Sequence, residues 1–409
     1  MDIAIYTLTS ELHNEAAVAA VTKEFLDGLG IDFDFMGSNY EEFGTHPLDL
    51  IYVRTGGTEG IFKRLLPELQ KKYDKSFYLL TSGKSNSLAA SMEILSYLNQ
   101  QGIKGEILHG TTEYIRNRIA ILVKVSEAKE KLRGCRLGVI GKPSDWLISS
   151  HADYNILKEK LALEMVDIPM QELLDACNND SAMVNGQSSM VNGQSSMVNG
   201  QSSMVNGQSS MVNGQSIYCA LKTIIKKYAL QGFTLRCFDL LTTIKDTGCL
   251  ALAQLNSEGY VAGCEGDIPA LVTMKIVQSL TGLSGFQANP SSINPETGEI
   301  LFAHCTIPLN MVEHYELDTH FESGIGTAVR GFMAKGDVTI FKVSGDLTRS
   351  FIAEGTLIRN ESKPDLCRTQ QVIRLSDPSQ TNYFLTNPIG NHHIIVPGHL
   401  KSVLLQLAS

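Results

Sequence analysis

Short apolar runs alternate with longer segments of helical periodicity over the first part of the chain. The runs predict β-strands, and the segments between them predict amphipathic helices. Strand–helix alternation at this spacing predicts a parallel, doubly wound sheet. The predicted strands are Asp2–Leu8, Ile31–Met36, Asp49–Arg54, Phe77–Thr81 and Gly105–His109, and the predicted helices are Asn14–Leu26, Glu59–Lys71, Ser85–Gln101 and Tyr114–Leu132.

The pattern restarts and then changes further along the chain. A second α/β block has predicted strands at Arg136–Gly141, Met165–Ile168 and Thr234–Phe238, with helices from Tyr154 and over Ile217–Tyr228. After a helix near Ile268–Leu280, period-two alternation predicts antiparallel strands that form a small barrel or sandwich. These strands are Asp337–Val343, Phe351–Ile358 and Gln370–Leu375. The predicted domains are therefore 1–133, 134–256 and 257–409.

A seven-residue unit, Met-Val-Asn-Gly-Gln-Ser-Ser, is repeated in tandem over residues 183–216, within the second α/β domain. A coiled coil is disfavoured because each copy contains glycine and lacks both charged flanking positions and a separated apolar pair. The unit is also shorter than the repeats of about 20 residues or more that build solenoids. We therefore predict a loop or linker expansion on the surface, with some fluctuating helix.

The composition and net charge of the chain exclude or disfavour several classes of protein. Hydrophobic residues make up 43% of the chain and charged residues 19%, which excludes a wholly disordered protein. The net charge of −9 disfavours nucleic acid as a partner. The sequence predicts no membrane span, and Met1–Tyr6 has the pattern of a first strand instead of a signal peptide. The eight cysteines form no CxxC motif, so reduced thiols in the cytoplasm are expected.

Two loops follow predicted strands and open predicted helices. Thr55, Gly56 and Gly57 belong to the first loop, and Ser82 belongs to the second. Their hydroxyls and backbone amides could hold an anion or a sugar at a helix N-terminus. Neither loop is a GxGxxG motif or a P-loop, and ordinary turn chemistry explains both equally well.

The densest group of polar candidates lies in the last third of the chain. Glu265 follows an apolar stretch at a strand end, which favours a site, whereas Asp267 suits a helix cap. His304 lies in an apolar strand, as either a core residue or a ligand. His392 and His393 start a strand and should face opposite ways, so one of them can enter a given site. One carboxylate with one or two histidines suits a divalent ion such as Mn²⁺.

Four segments, in this order, resemble the fucose isomerase and arabinose isomerase superfamily, in particular the fucose-isomerase-like proteins. They are Cys237-Phe238-Asp239, the stretch from Cys249 to Ile268, Ala303 to Pro308, and Asn391-His392-His393. The resemblance covers most of the chain outside the repeat. It implies two Rossmann-like domains followed by a C-terminal domain that contains an antiparallel β-barrel. It also implies a homo-oligomer, hexameric or built from trimers.

The resemblance implies an aldose–ketose isomerase that uses Mn²⁺ on an open-chain deoxy sugar or pentose, through an enediol. Glu265 matches the catalytic, metal-binding glutamate, and His304 matches a histidine ligand. His393, or its neighbour His392, matches the C-terminal metal histidine. Asp239 is expected to contact the sugar, together with the two loops described above.

Asn289 departs from the family pattern, which has a second acidic ligand at this position. An amide oxygen can coordinate a metal, but it brings no negative charge and cannot act as a base. Two other hypotheses therefore stay open: a non-catalytic or regulatory sugar-binding protein that has lost the full metal site, and a lyase on the same scaffold. One sequence does not identify the sugar, because pocket shape decides it.

Overall fold

The computed structural model describes residues 1–72, 76–184 and 208–408. The chain divides into an N-terminal unit, Met1–Glu127 with Leu405–Ser409, and a C-terminal unit, Ala128–Leu404. In the part of the chain that the structure describes, no helix combines the length and the hydropathy that a membrane span requires.

The N-terminal unit is built on a parallel sheet with the strand order β2-β1-β3-β4-β5. All six residues of β1 and of β3 are buried, as expected for a sheet covered on both faces. The predicted α/β pattern is confirmed. The elements are β1 (Ile3–Leu8), α1 (Glu15–Leu29), β2 (Asp34–Gly37), β3 (Leu48–Val53), α2 (Glu59–Lys72), β4 (Phe77–Leu80), α3 (Ser87–Gln100), β5 (Gly105–Leu108) and α4 (Thr112–Leu132).

The C-terminal unit opens with a second parallel sheet, in the order β7-β6-β8-β9. The residues of β8 and β9 are all buried, and both strands are followed by helices. The elements are β6 (Arg136–Ile140), α5 (Tyr154–Leu161), β7 (Glu164–Ile168), α6 (Met170–Val184), α7 (Gln208–Tyr228), β8 (Gly232–Leu235), α8 (Phe238–Thr243), α9 (Cys249–Ser257), β9 (Val261–Cys264) and α10 (Ile268–Thr281).

One strand predicted in this block is too long. We predicted a strand over Thr234–Phe238, but β8 ends at Leu235 and Phe238 begins α8. The turn starts where the Cys237 amide donates to the Leu235 carbonyl, at an N–O distance of 2.8 Å. The apolar pattern continues through the turn because Cys237 and Leu240 are also buried, so hydropathy alone does not mark the strand end.

The structure describes only the two ends of the heptapeptide array. Its residues 185–207 are not among the described residues, whereas α6 includes its first residues and α7 begins at Gln208. The predicted helix over Ile217–Tyr228 is therefore too short, because the helix already begins within the array at Gln208. The Ser216 hydroxyl donates to the Cys177 carbonyl at 3.0 Å, which connects α7 to α6.

Deleting four of the five copies is expected to change the melting temperature by less than about 2 °C, because the unit has no charge and no consistent apolar stripe. Removing the first four copies, residues 183–210, leaves the truncated fifth copy directly before Ile217. Ile217→Ala is the control that should lower the melting temperature, because this side chain is fully buried. A large drop for the deletion itself would show that the array stabilises the fold.

The rest of the C-terminal unit contains a closed antiparallel barrel with the strand order β10-β11-β16-β15-β14-β17. This confirms the predicted C-terminal barrel, and Phe302, Ile340 and Ile373 are among its fully buried core residues. A separate ribbon is formed by β12 and β13. The elements are β10 (Phe286–Asn294), β11 (Glu299–His304), β12 (His314–Asp318), β13 (Ala328–Phe332), β14 (Gly336–Val343), β15 (Ser350–Glu361), β16 (Thr369–Leu375), α11 (Thr381–Thr386), β17 (His393–Pro397) and α12 (Lys401–Ala408).

Candidate metal centre

Glu265 directly follows β9 and adopts an uncommon backbone conformation, with a φ of +62°. Residues other than glycine seldom adopt this left-handed region, and such strain is concentrated at functional sites. The next residue, Gly266, also has a positive φ, and a Cβ there would lie 2.4 Å from the Lys142 carbonyl oxygen. The Ser144 amide donates to the Glu265 carbonyl at 3.1 Å. The turn at Glu265 is therefore packed tightly against the loop that follows β6.

Gln287 attaches this turn to the barrel. Its side-chain oxygen accepts from the Cys264 amide at 2.9 Å, and its side-chain nitrogen donates to the Cys264 carbonyl at 3.3 Å. Gln287 belongs to β10 and is buried. A barrel strand is thus hydrogen-bonded to the residue immediately before Glu265.

Strand pairing brings the remaining candidates to the same end of the barrel. Ala288 of β10 pairs with His393 of β17, and Asn289 pairs with Ala303 of β11. His304 is the last residue of β11, and His392 immediately precedes β17. Residues that are far apart in the sequence therefore converge because β10 lies between β11 and β17.

Glu265, His304 and His392 form a compact buried group. The Glu265 Oε1 atom lies 3.6 Å from His304 Nε2 and 3.5 Å from His392 Nε2. The three side chains are only 13%, 4% and 0% exposed, respectively. Within the described ranges, this is the one group of three or more histidine, cysteine or acidic residues whose ligand atoms are close enough to share a metal.

Three buried nitrogens of this group lack hydrogen bonds, as expected for atoms that bind a metal. His304 Nδ1 and Nε2 and His392 Nε2 are buried and have no hydrogen-bond partner. Leaving such atoms unpaired costs free energy, so native proteins usually satisfy them. Metal–ligand bonds of about 2.1 Å place neighbouring ligand atoms about 3.0 to 3.5 Å apart, close to the two distances observed. These residues can therefore hold a divalent ion.

His392 is held in the orientation that a metal ligand requires. Its Nδ1 lies 2.8 Å from Asp267 Oδ2, so Nδ1–H donates there and Nε2 points to Glu265. Such carboxylate–histidine pairs fix the tautomer of metal-binding imidazoles. Asp267 also accepts from the Ala270 amide at 2.7 Å and caps α10, which confirms the predicted cap.

The charges of the group are strongly coupled. Burial alone would lower the pKa of His392, but Glu265 and Asp267 outweigh it and raise that pKa to about 9. Burial would raise the pKa of Glu265, yet the charges of the adjacent His392 and His304 bring it well below its usual range. The group therefore holds an ionised carboxylate beside a protonated imidazole, and a metal bound at Nε2 would replace that proton.

His393 faces away from this group, as expected for adjacent residues at a strand start. Its Nδ1 lies 3.0 Å from the Asn391 carbonyl oxygen, and its Nε2 lies 3.0 Å from the Tyr383 hydroxyl. The ring also packs beside Phe384, at a centroid distance of 4.9 Å. Burial and the nearby Lys342 charge lower the pKa of His393 to about 3. His392, and not His393, therefore contributes the nitrogen beside Glu265.

The other predicted site residues have local partners. Asn289 Oδ1 accepts from Asn391 Nδ2 at 2.9 Å. Asp239 Oδ1 accepts from Arg236 Nε, also at 2.9 Å. In the N-terminal unit, Thr55 and Gly56 lie just beyond β3, where the Thr55 hydroxyl accepts from the Ser10 amide at 3.0 Å. Their sugar-binding role, like that of the neighbouring Gly57 and of Ser82 just beyond β4, stays a prediction.

Trp146 is a site residue that the sequence analysis missed. Its indole nitrogen donates to Glu265 Oε2 at 2.9 Å, and its side chain lies on the loop that follows β6. The ring packs edge-on against Phe238, at a centroid distance of 4.8 Å, and Phe238 in turn contacts His320 at 5.6 Å. The one available signal was that this is the chain's single tryptophan.

Known proteins match part of the chain. Residues 157–282, which include Glu265, match the family described as the L-arabinose isomerase central domain. A sulfoquinovose isomerase from Clostridium sp. (strain MSTE9) is 30% identical over 90 residues, which are 22% of this chain and 20% of that protein. A sulfoquinovose isomerase from Alkalicoccus urumqiensis is 24% identical over 130 residues, which are 30% of this chain and 29% of that protein. The matches thus span less than a third of these relatives, and they confirm the superfamily resemblance.

Proposed function

We propose that this chain, a member of the fucose isomerase and arabinose isomerase superfamily, is a metal-dependent aldose–ketose isomerase. The observation that supports this most directly is the set of unpaired nitrogens of His304 and His392 around Glu265 Oε1. The match to the arabinose isomerase central domain and the two isomerase relatives support the same reaction class.

Mn²⁺ is the proposed ion. One carboxylate oxygen and two imidazole nitrogens suit a hard-to-borderline divalent ion and leave coordination positions open. When bound, such an ion supplies Lewis acidity toward two adjacent oxygens of a sugar. Asp267 holds the Nδ1 proton of His392, so Nε2 is the nitrogen that would give up its proton and bind the ion.

Glu265 is the proposed proton carrier. Isomerisation of an open-chain aldose requires a proton to leave C2 and return to C1, through an enediol. A carboxylate at this position can take the proton from C2 and deliver it to C1. The neighbouring histidines outweigh the effect of burial and lower the pKa of Glu265, so the carboxylate is in the ionised form that a general base requires.

The substrate and setting are also proposals. We propose an open-chain deoxy sugar or pentose, contacted by the two N-terminal loops and Asp239, in a homo-oligomer built from trimers or as a hexamer. A reducing cytoplasm agrees with the eight cysteines, all of them described and all free thiols. The name of the two relatives adds sulfoquinovose to the sugars worth testing.

A second candidate function follows from Asn289. Its amide replaces the charge that a second acid would bring, and it is already hydrogen-bonded to Asn391. A protein with a weakened metal site could bind a sugar without converting it. Metal content and product analysis distinguish this candidate from an isomerase.

The test is calorimetric titration of Mn²⁺ into the wild type, Asn289→Asp and His304→Ala. We expect Asn289→Asp to bind Mn²⁺ more tightly, because a carboxylate adds opposing charge near the ion. We expect His304→Ala to weaken binding by at least about 100-fold, since even partners outside the ligand set contribute about 10- to 100-fold. Unchanged affinity in both variants would remove Asn289 and His304 from the ligand set.

The same preparations are then incubated with a panel of aldoses, and products are identified by NMR. A ketose that forms with Mn²⁺ and not after chelation supports the isomerase. Bound metal and sugar without product would favour the non-catalytic candidate, and a product of carbon–carbon cleavage would favour a lyase.

A further inference from the structure

Trp146 and the proposed metal centre are connected by one hydrogen bond. The indole N–H donates to Oε2 of Glu265, whereas Oε1 of the same carboxylate faces His304 and His392. The residue Trp146 is 50% exposed, so its ring is not simply a core side chain. The two oxygens of Glu265 therefore have different neighbours: Oε2 lies beside the indole N–H, and Oε1 lies beside the two imidazoles.

The loop that carries Trp146 is hydrogen-bonded to Arg236. This guanidinium donates to the Pro143 carbonyl at 2.9 Å and to Asp145 Oδ2 at 2.7 Å. It also donates to Asp239 at 2.9 Å, beside Phe238. Charge-assisted bonds of this kind have strong directional preferences. Arg236 thus anchors Asp145, the residue directly before Trp146.

The geometry points to Trp146 as a positioning residue for the metal centre. We propose that the indole N–H, by donating a hydrogen bond to Oε2 of Glu265, leaves Oε1 as the single oxygen that binds the metal. Without this bond the carboxylate can rotate, and either bind through both oxygens or turn away from the histidines. This proposal rests on the proposed function only in requiring that Glu265, His304 and His392 bind a divalent ion.

The test compares Trp146→Phe with Phe238→Leu in the full-length protein. Trp146→Phe retains an aromatic ring against Phe238 but removes the donor. Phe238→Leu removes the ring contact and leaves the indole N–H in place. We expect Trp146→Phe to weaken Mn²⁺ binding by about 10- to 100-fold, as for other partners of metal ligands, and Phe238→Leu to change it by less than about threefold. Affinities are measured by calorimetry, and circular dichroism shows that each variant is folded.

A second measurement detects which atoms bind the Mn²⁺ ion, independently of how tightly the ion binds. Electron paramagnetic resonance of bound Mn²⁺ should differ between the wild type and Trp146→Phe, because Glu265 changes its mode of binding. Trp146→Leu, which also lacks the donor, answers the question if phenylalanine is not tolerated.

Two results would overturn the proposal while leaving the metal site intact. One is an affinity and a resonance spectrum that do not change in Trp146→Phe, and the other is an equal loss of affinity in Phe238→Leu. A wild-type protein that binds no Mn²⁺ would instead reject the proposed function together with this proposal. The two kinds of failure are therefore distinguished by the wild-type titration.

Discussion

Replacing Glu265 by glutamine is expected to reduce turnover of the aldose substrate by about 10²- to 10⁴-fold, the usual contribution of a positioned acid–base group. Glutamine keeps the size and shape of the side chain but removes the negative charge and the proton-accepting oxygen. The variant should also bind Mn²⁺ more weakly, because Glu265 is the one carboxylate among the described residues that lies beside both His304 and His392.

The matched control is Glu296→Gln, which makes the same chemical change at an exposed turn residue. It should leave turnover and Mn²⁺ affinity unchanged. Both variants are assayed for ketose formation at saturating Mn²⁺, so that lost affinity alone cannot explain lost turnover. If Glu265→Gln retains turnover within about tenfold of the wild type, Glu265 is not the proton carrier.

The fold could be predicted from the sequence where local pattern and tertiary structure agree. Period-two alternation over Asp337–Val343 corresponds to β14, and the strand–helix alternation corresponds to the two parallel sheets. Prediction was wrong where hydropathy continues through a turn, as at Cys237 and Phe238. It was also incomplete at the last copy of the heptapeptide, because the helix that continues from Ile217 extends back into it.

The site could be predicted only in part, because its geometry depends on long-range packing. Glu265 and His304 could be proposed from their positions at strand ends and from the resemblance. The choice between His392 and His393 depends on which of the two side chains points toward Glu265. The pairing of β17 with β10 in the barrel decides this. Trp146 could not be predicted, since its contact with Glu265 depends on the tight approach of Gly266 to the loop after β6.

Four buried side chains of alternating charge extend inward from the metal centre. Lys342 Nζ lies 3.6 Å from Asp267 Oδ2, Asp267 contacts His392 at 2.8 Å, and His392 lies 3.5 Å from Glu265. Lys342 and Asp267 are 1% and 0% exposed. Burial lowers the pKa of Lys342, and the charge of Asp267 opposes that effect. Lys342 therefore balances the carboxylate that orients His392.

Lys342→Met is expected to lower the free energy of unfolding by about 3 to 5 kcal/mol, the usual cost of removing one partner of a buried ion pair. Methionine fills much of the volume of the lysine stem, so the loss should come mainly from the charge left on Asp267. Stability is measured by urea unfolding of the metal-free protein. Lys335→Met, at an exposed position, is the control and should change the free energy by less than about 0.5 kcal/mol.

A double variant identifies the cause of that loss. Lys342→Met combined with Asp267→Asn removes both charges of the pair while keeping an acceptor for the Ala270 amide at the start of α10. If the uncompensated charge of Asp267 is responsible, the double variant should be less destabilised than the sum of the two single changes. Strict additivity would show that Lys342 stabilises the protein through its packing, and that Asp267 orients His392 without needing the lysine.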